Sequence, residues 1–179
     1  MRASQRLTFP CQFTLIAAAN PCPCGYLNDP LHNCTCTSSQ IAKYKRKLSS
    51  PIIDRIDMTI ELPHVKFEKL ISAGEGEETF EKRKKVIIAR EIQKQRFYNN
   101  DRSIITNSEM QIPEIKKYCQ VNSAAKNILK NCVDSGQLSA RGYHRVLKIS
   151  RTIADLEESA EILIDHINEA LMYRLKQSS

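Results

Sequence analysis

The sequence predicts an α/β segment followed by a mostly α-helical domain. Two adjoining apolar stretches, Leu7-Thr8-Phe9-Pro10 and Phe13-Thr14-Leu15-Ile16-Ala17-Ala18-Ala19, read as strands. Met58-Thr59-Ile60-Glu61-Leu62 is the other good strand candidate. From residue 108 onward, four stretches carry apolar residues at i, i+3, i+4 spacing, which marks helices that bury one face.

A continuous apolar run such as 15–19 suits a strand covered on both faces, as in a parallel α/β sheet. Strand partners are scarce within the chain, so the rest of that α/β domain is expected upstream of residue 1. Ser50 as an N-cap and Pro51 at the first helical position predict a one-turn helix ending near Arg55. A short helix is expected over 65–73, with Gly74 and Gly76 after it. A longer basic helix is expected over 79–98, with Ile87, Ile88 and Ile92 on its apolar side. Residues 99–107 read as a polar connection.

The four helical stripes then follow. Residues 108–119 carry Ile112, Ile115 and Cys119, and 123–133 carry Ala125, Ile128, Leu129, Cys132 and Val133. Residues 140–156 carry Tyr143, Val146, Leu147, Ile153 and Ala154, and 161–175 carry Leu163, Ile164, Ile167, Ala170 and Leu171. Together they predict a small helical bundle. The expected organisation is an α/β part over 1–63 with a cysteine-rich insertion at 20–37, a basic helical connection over 64–107, and a helical domain over 108–179.

The 179 residues suffice for one ordinary core, or one core and a small satellite. A net charge of +7 permits contact with nucleic acid or nucleotide phosphates without demanding it. No apolar run approaches the ~20 residues of a membrane span, and the N-terminus has no signal-peptide apolar region. The expectation is a cytoplasmic protein with no membrane partner.

Four of the seven cysteines fall in the pattern C-x-C-x9-C-x-C: Cys22, Cys24, Cys34 and Cys36. A secreted disulfide framework would spread its cysteines to staple distant elements. Two thiolate pairs joined by a loop containing Gly25, Asn28, Asp29 and Pro30 can instead close on one tetrahedral Zn²⁺. His32 is an alternative fourth ligand, and a reduced, metal-free loop is the alternative to a site. Four sulfurs leave no open position, so any zinc is structural. Cys11, Cys119 and Cys132 read as small buried hydrophobes.

Three polar residues stand at abrupt ends of apolar elements. Asn20 ends the 13–19 run, where ligands sit in α/β sheets, although turn formation is the commoner role. Arg55 lies in Asp54-Arg55-Ile56-Asp57, where a local ion pair is the plainer reading. Arg141 follows Ser139, a plausible N-cap, and so falls in a first helical turn. A cation opposes the helix dipole there unless both face an anion such as phosphate. Two basic runs, Lys43, Lys45, Arg46, Lys47 and Lys82, Arg83, Lys84, Lys85, read either as solvated faces or as a nucleic-acid track.

Several segments occur in a characteristic order: Phe9-Pro10-x-x-Phe13, Ala18-Ala19-Asn20-Pro21-Cys22-Pro23-Cys24-Gly25-Tyr26, and Cys34-x-Cys36. Ser50-Pro51-Ile52-Ile53-Asp54-Arg55-Ile56-Asp57, Leu138-Ser139-Ala140-Arg141-Gly142-Tyr143-His144-Arg145 and Thr152-Ile153-Ala154-Asp155-Leu156 follow. Across nearly the whole chain this resembles the magnesium-chelatase-like AAA+ ATPases of the YifB/ComM family. The resemblance implies the C-terminal strands of an AAA+ core sheet followed by the helical lid. It also implies that Asn20 is the sensor-1 residue at the γ-phosphate and attacking water, and that Arg141 is sensor 2. Arg55 would be the arginine finger, reaching the neighbouring subunit's nucleotide site. ATP and Mg²⁺ as cofactors, a homo-hexameric ring, and DNA branch migration as the task are implied as well. Residues 7–10 resemble the returning strand of a pore hairpin, and Ala19 stands where Met is common.

No G-x-x-x-x-G-K-[ST] occurs in the sequence, and no acidic Walker-B run follows a strand. The P-loop is therefore expected upstream, and this chain alone is expected not to hydrolyse ATP. Two other readings stand beside this one. The first is a zinc-stabilised nucleic-acid-binding module. The second is a chelatase motor for porphyrin metallation, which the paired cysteines argue against because they mark the ComM-like branch.

Overall fold

The computed structural model describes residues 13–48, 55–62, 77–99 and 102–174. The elements expected at 7–10, 51–54 and 65–73, and Cys11, lie outside the described residues. The chain divides into two compact units, Met1–Ser50 and Pro51–Ser179.

In the first unit, residues 13–19 form no strand. Phe13, Leu15 and Ile16 are 78%, 60% and 90% exposed. The expected strand at 58–62 is likewise absent, and no strand occurs among the described residues. The physical reason is that a strand exists only as a pairing. The sequence supplies apolar faces here, but no described segment supplies ladder partners or cover.

After the cysteine loop comes α1, Ser38–Leu48. It starts on a reciprocal capping box: the Gln40 N–H donates to Thr37 Oγ1 at 3.3 Å, and the Thr37 N–H to Gln40 Oε1 at 2.8 Å. Ile41 and Tyr44 are half-buried, while Lys43, Lys45, Arg46 and Lys47 are exposed. Lys45, Arg46 and Lys47 occupy the last turn, where cations complement the helix dipole.

The second unit holds five helices among its described residues. They are α2 (Glu77–Phe97), α3 (Ile112–Tyr118), α4 (Ser123–Asp134), α5 (Ala140–Leu156) and α6 (Ile164–Met172). A 3-10 turn, Asn107–Glu109, precedes α3. The core is centred on α5, whose Val146, Leu147, Ile149, Ile153 and Ala154 meet Ile115, Ala125, Leu129, Ile167, Ala170 and Leu171. The outer stripe members Ile112, Val133 and Leu163 are exposed, because α3 and α4 bury narrower faces and Leu163 precedes its helix. A single parallel bridge joins Val121 and Ile162. At α6, His166 Nδ1 accepts the Leu163 N–H at 3.0 Å, and its Nε2 donates to Glu157 Oε2 at 2.9 Å.

The buried face of α2 is Ala89, Gln93 and Phe97 rather than Ile87 and Ile88, which are 59% and 39% exposed. The polar members are buried because a charged network receives them. Asp155, in the last turn of α5, is 1% exposed. Its Oδ2 accepts from Arg96 at 2.7 Å and from Asn107 Nδ2 at 2.8 Å. Its Oδ1 accepts from Arg96 Nη2 and from Arg151 Nε, the latter at 3.1 Å. Arg151 spends its other donors on the Ala160 and Ser159 carbonyls at 2.9 and 2.5 Å. Asn107 also reaches Thr152 and Gln93, so the stretch expected as a polar connection is sewn into the core. Asp155→Ala should cost about 3–5 kcal/mol, because it leaves two guanidinium groups buried without their carboxylate. Urea denaturation measures that loss.

Helix α5 ends on a left-handed residue, Glu158, at φ 55°. Ser159 N–H bonds to Ala154 O at 2.8 Å and Glu158 N–H to Asp155 O at 3.2 Å, the paired bonds of a Schellman motif. Glycine normally fills that place. Glu158→Gly should therefore raise stability by about 1 kcal/mol, partly offset by glycine's freedom in the unfolded chain. The expected signature is a higher urea midpoint at unchanged slope.

Candidate metal centre and arginine sites

Pro21-Cys22-Pro23-Cys24-Gly25 forms a tight knuckle. The Gly25 N–H bonds to Cys22 O at 3.0 Å, and Gly25 sits at φ 87°, a conformation open to glycine at little cost. Asn28 adds a second left-handed residue at φ 64°. Asp29 then closes the loop: its Oδ1 accepts the N–H groups of Leu31 at 2.7 Å and His32 at 2.9 Å, which hold its carboxyl below the usual range. His32 Nδ1 contacts the same oxygen at 3.3 Å, and its ring packs 4.8 Å from Tyr26. His32 is thus committed to Asp29, and the four cysteines make the cluster without it.

Cys22 Sγ lies 3.3 Å from Cys24 Sγ and 3.7 Å from Cys34 Sγ, while Cys24 and Cys34 are 3.6 Å apart. All four sulfurs, Cys36 included, lie within 4.8 Å of one another. These spacings are far longer than a disulfide bond of about 2.05 Å. A tetrahedron with Zn–S bonds of about 2.3 Å has edges of about 3.8 Å, so the donor set fits zinc. The thiols are tuned unequally. The Tyr26 N–H lowers Cys24 to about 5, outweighing its burial. Burial pushes Cys36 up to about 12, helped by the neighbouring sulfurs. Crowded thiolates repel, and a divalent cation relieves that repulsion.

The predicted site residues fall in both units. In the first, Asn20 is exposed beside the knuckle, and its amide would lie 3.7 Å from a Cβ added at Gly25. In the second, Arg141 is exposed in the first turn of α5. Ser139 caps that helix as expected, its Oγ accepting the Gly142 N–H at 3.0 Å. A Cβ on Gly142 would come within 2.8 Å of Leu138, so this close turn needs a glycine or a shifted Leu138. Arg55 is exposed, and its backbone carbonyl accepts from Arg145, one turn beyond Arg141. Arg145 and Arg174, which touch this segment, were not singled out in the sequence. Position four residues after Arg141 was the available signal for the former.

Among the described residues, no helix is long and apolar enough to cross a membrane.

Residues 1–70 match the family described as magnesium chelatase, subunit ChlI, and residues 76–174 match its C-terminal counterpart, magnesium chelatase, subunit ChlI C-terminal. The chain is 38% identical over 174 residues to the competence protein ComM of Haemophilus influenzae, covering 97% of this chain and 33% of that protein. It is 35% identical over 176 residues to the uncharacterized protein YifB of Escherichia coli, again covering 97% of this chain and 33% of that one. The chain thus spans about a third of the length of the curated relatives it matches.

Proposed function

Since this chain belongs to the magnesium chelatase subunit ChlI family, we propose that it supplies the sensor, finger and lid parts of a ComM-like AAA+ ATPase. The observation that carries this reading is Arg141, an exposed guanidinium beside the N–H groups of a capped helix terminus. Backbone donors and cation together form a surface suited to a phosphate oxygen. Asn20 would orient the attacking water or donate to the γ-phosphate with a neutral amide. Arg55 would enter the adjacent subunit's site and offset charge on the transferring phosphoryl group. Mg²⁺ would supply charge neutralisation on the phosphates, but none of these 179 residues forms a P-loop to position it. Cys22, Cys24, Cys34 and Cys36 would hold one structural Zn²⁺.

At the level of the whole protein, the proposal is a homo-hexameric ring that processes DNA, in keeping with the relative named as a competence protein. A nucleic-acid-binding module is the second reading. It is favoured by the placement of the basic helix α1 directly after Cys36. The test uses the ATP-hydrolysing protein that carries this segment. Arg141→Ala should raise KM for ATP about tenfold, as expected for a lost charge-assisted contact to phosphate. An unchanged KM and kcat would overturn the assignment.

A further inference from the structure

The segment carrying Arg55 is held almost wholly by polar contacts. Asp57, Met58, Thr59 and Ile60 are all exposed, so little apolar burial fixes it. Arg145 donates to the Arg55 carbonyl, and its Nη1 lies 3.2 Å from Asp57 Oδ1. Arg174, just past α6, donates to the Ile56 carbonyl at 2.9 Å, and the Thr59 N–H donates to the Tyr173 carbonyl at 2.9 Å. Residues 55–59 are therefore tied to one helix near its start and to another at its end.

Arg145 is the notable member of this set. Its side chain is only 20% exposed, whereas Asp57 is 66% exposed. A surface ion pair alone would contribute little. One guanidinium nitrogen, Nη1, instead serves a carbonyl and a carboxylate together. Arg145 also sits one turn after Arg141 on the same face of α5, a helix anchored by buried Val146, Leu147 and Ile153.

We infer that Arg145 is a positioning residue that fastens the backbone of Arg55 to the helix bearing Arg141, so that the two arginines move as one body. The inference rests on the reading of Arg55 and Arg141 as phosphate-facing groups, and it adds how their sites communicate. An anion that draws Arg141 inward shifts α5, and Arg145 carries that shift into the finger aimed at the next subunit. One helical turn links the two nucleotide sites.

Amide hydrogen exchange on this 179-residue chain tests the fastening. Arg145→Ala should speed exchange at Thr59 by about tenfold or more while the α5 and α6 core amides keep their protection, the mark of local release. Arg145→Lys, which keeps the charge and perturbs α5 least, should release Thr59 partially. Asp57→Asn should change it by less than about threefold, since the Asp57 carboxylate is exposed. Thr59 protection unmoved in both Arg145 variants, or release by Asp57→Asn as large as by Arg145→Ala, overturns the proposal. In the ATP-hydrolysing protein, Arg145→Ala should lower kcat about tenfold at unchanged KM, as misplacement of a remote catalytic group does. If Arg55→Ala lowers kcat and Arg145→Ala does not, the coupling fails alone. If neither lowers it, the finger reading itself fails.

Discussion

Purified in the presence of zinc, the protein should carry one zinc ion per chain, and Cys22→Ser should remove it. Cys22 is fully buried and its sulfur touches those of both Cys24 and Cys34. Little else holds residues 21–36 in place: two left-handed residues, the backbone turn bonds Gly25 N–H to Cys22 O and Asp29 N–H to Tyr26 O, one aspartate turn and one ring contact. Structural zinc contributes apparent folding energies of about 10–16 kcal/mol at neutral pH in small domains, far more than those turns supply. Chelation should therefore open the loop to protease between residues 21 and 36. Because the ligands must lose protons, affinity should fall as pH drops. Elemental analysis decides the matter: a wild-type chain without zinc, or a Cys22→Ser chain that keeps it, would sink the assignment.

Replacing Arg55 by alanine in the ATP-hydrolysing protein should lower kcat by about 10³ to 10⁵, the range for fingers supplied in trans. KM should barely change, since such a group acts on charge that develops only in the transition state. The trans geometry has its own signature. An Arg55→Ala subunit keeps Asn20, and an Asn20→Ala subunit keeps Arg55. Mixed rings of the two should regain activity at the interfaces that pair an intact Asn20 with an intact Arg55. A finger acting within its own subunit would give no recovery on mixing, and that result would refute the assignment.

Legibility followed how local each signal was. Helix α5 matches its expected bounds because an N-cap serine, a clean apolar period and a long run all lie within the element. The cysteine cluster was legible from spacing alone, although the rejection of His32 required seeing Asp29 turn towards it. Helix α1 was signalled by Thr37-x-x-Gln40, but the lysines that follow drew attention as a charge run instead. The face of α2 was misread because its buried side includes Gln93 and Arg96, which are interior only because Asp155 and Asn107 meet them from elsewhere. Strands at 13–19 and 58–62 were inferred from apolar content, whereas pairing is a property of partners. The grip of Arg145 on Arg55 spans 90 positions and no local pattern could announce it.

The manner in which α2 is fixed gives it a mechanical character. Every buried side chain described along it lies at Ala89 or beyond, and residues 79–88 are exposed throughout. At about 1.5 Å per residue, residues 79–88 make up roughly 15 Å of a helix some 30 Å long. It is a cantilever bolted at one end by Arg96 to Asp155. A few degrees of rotation at the bolt become an ångström or more near the tip, where Phe80 is displayed. Load applied at that tip returns as torque on the last turn of α5.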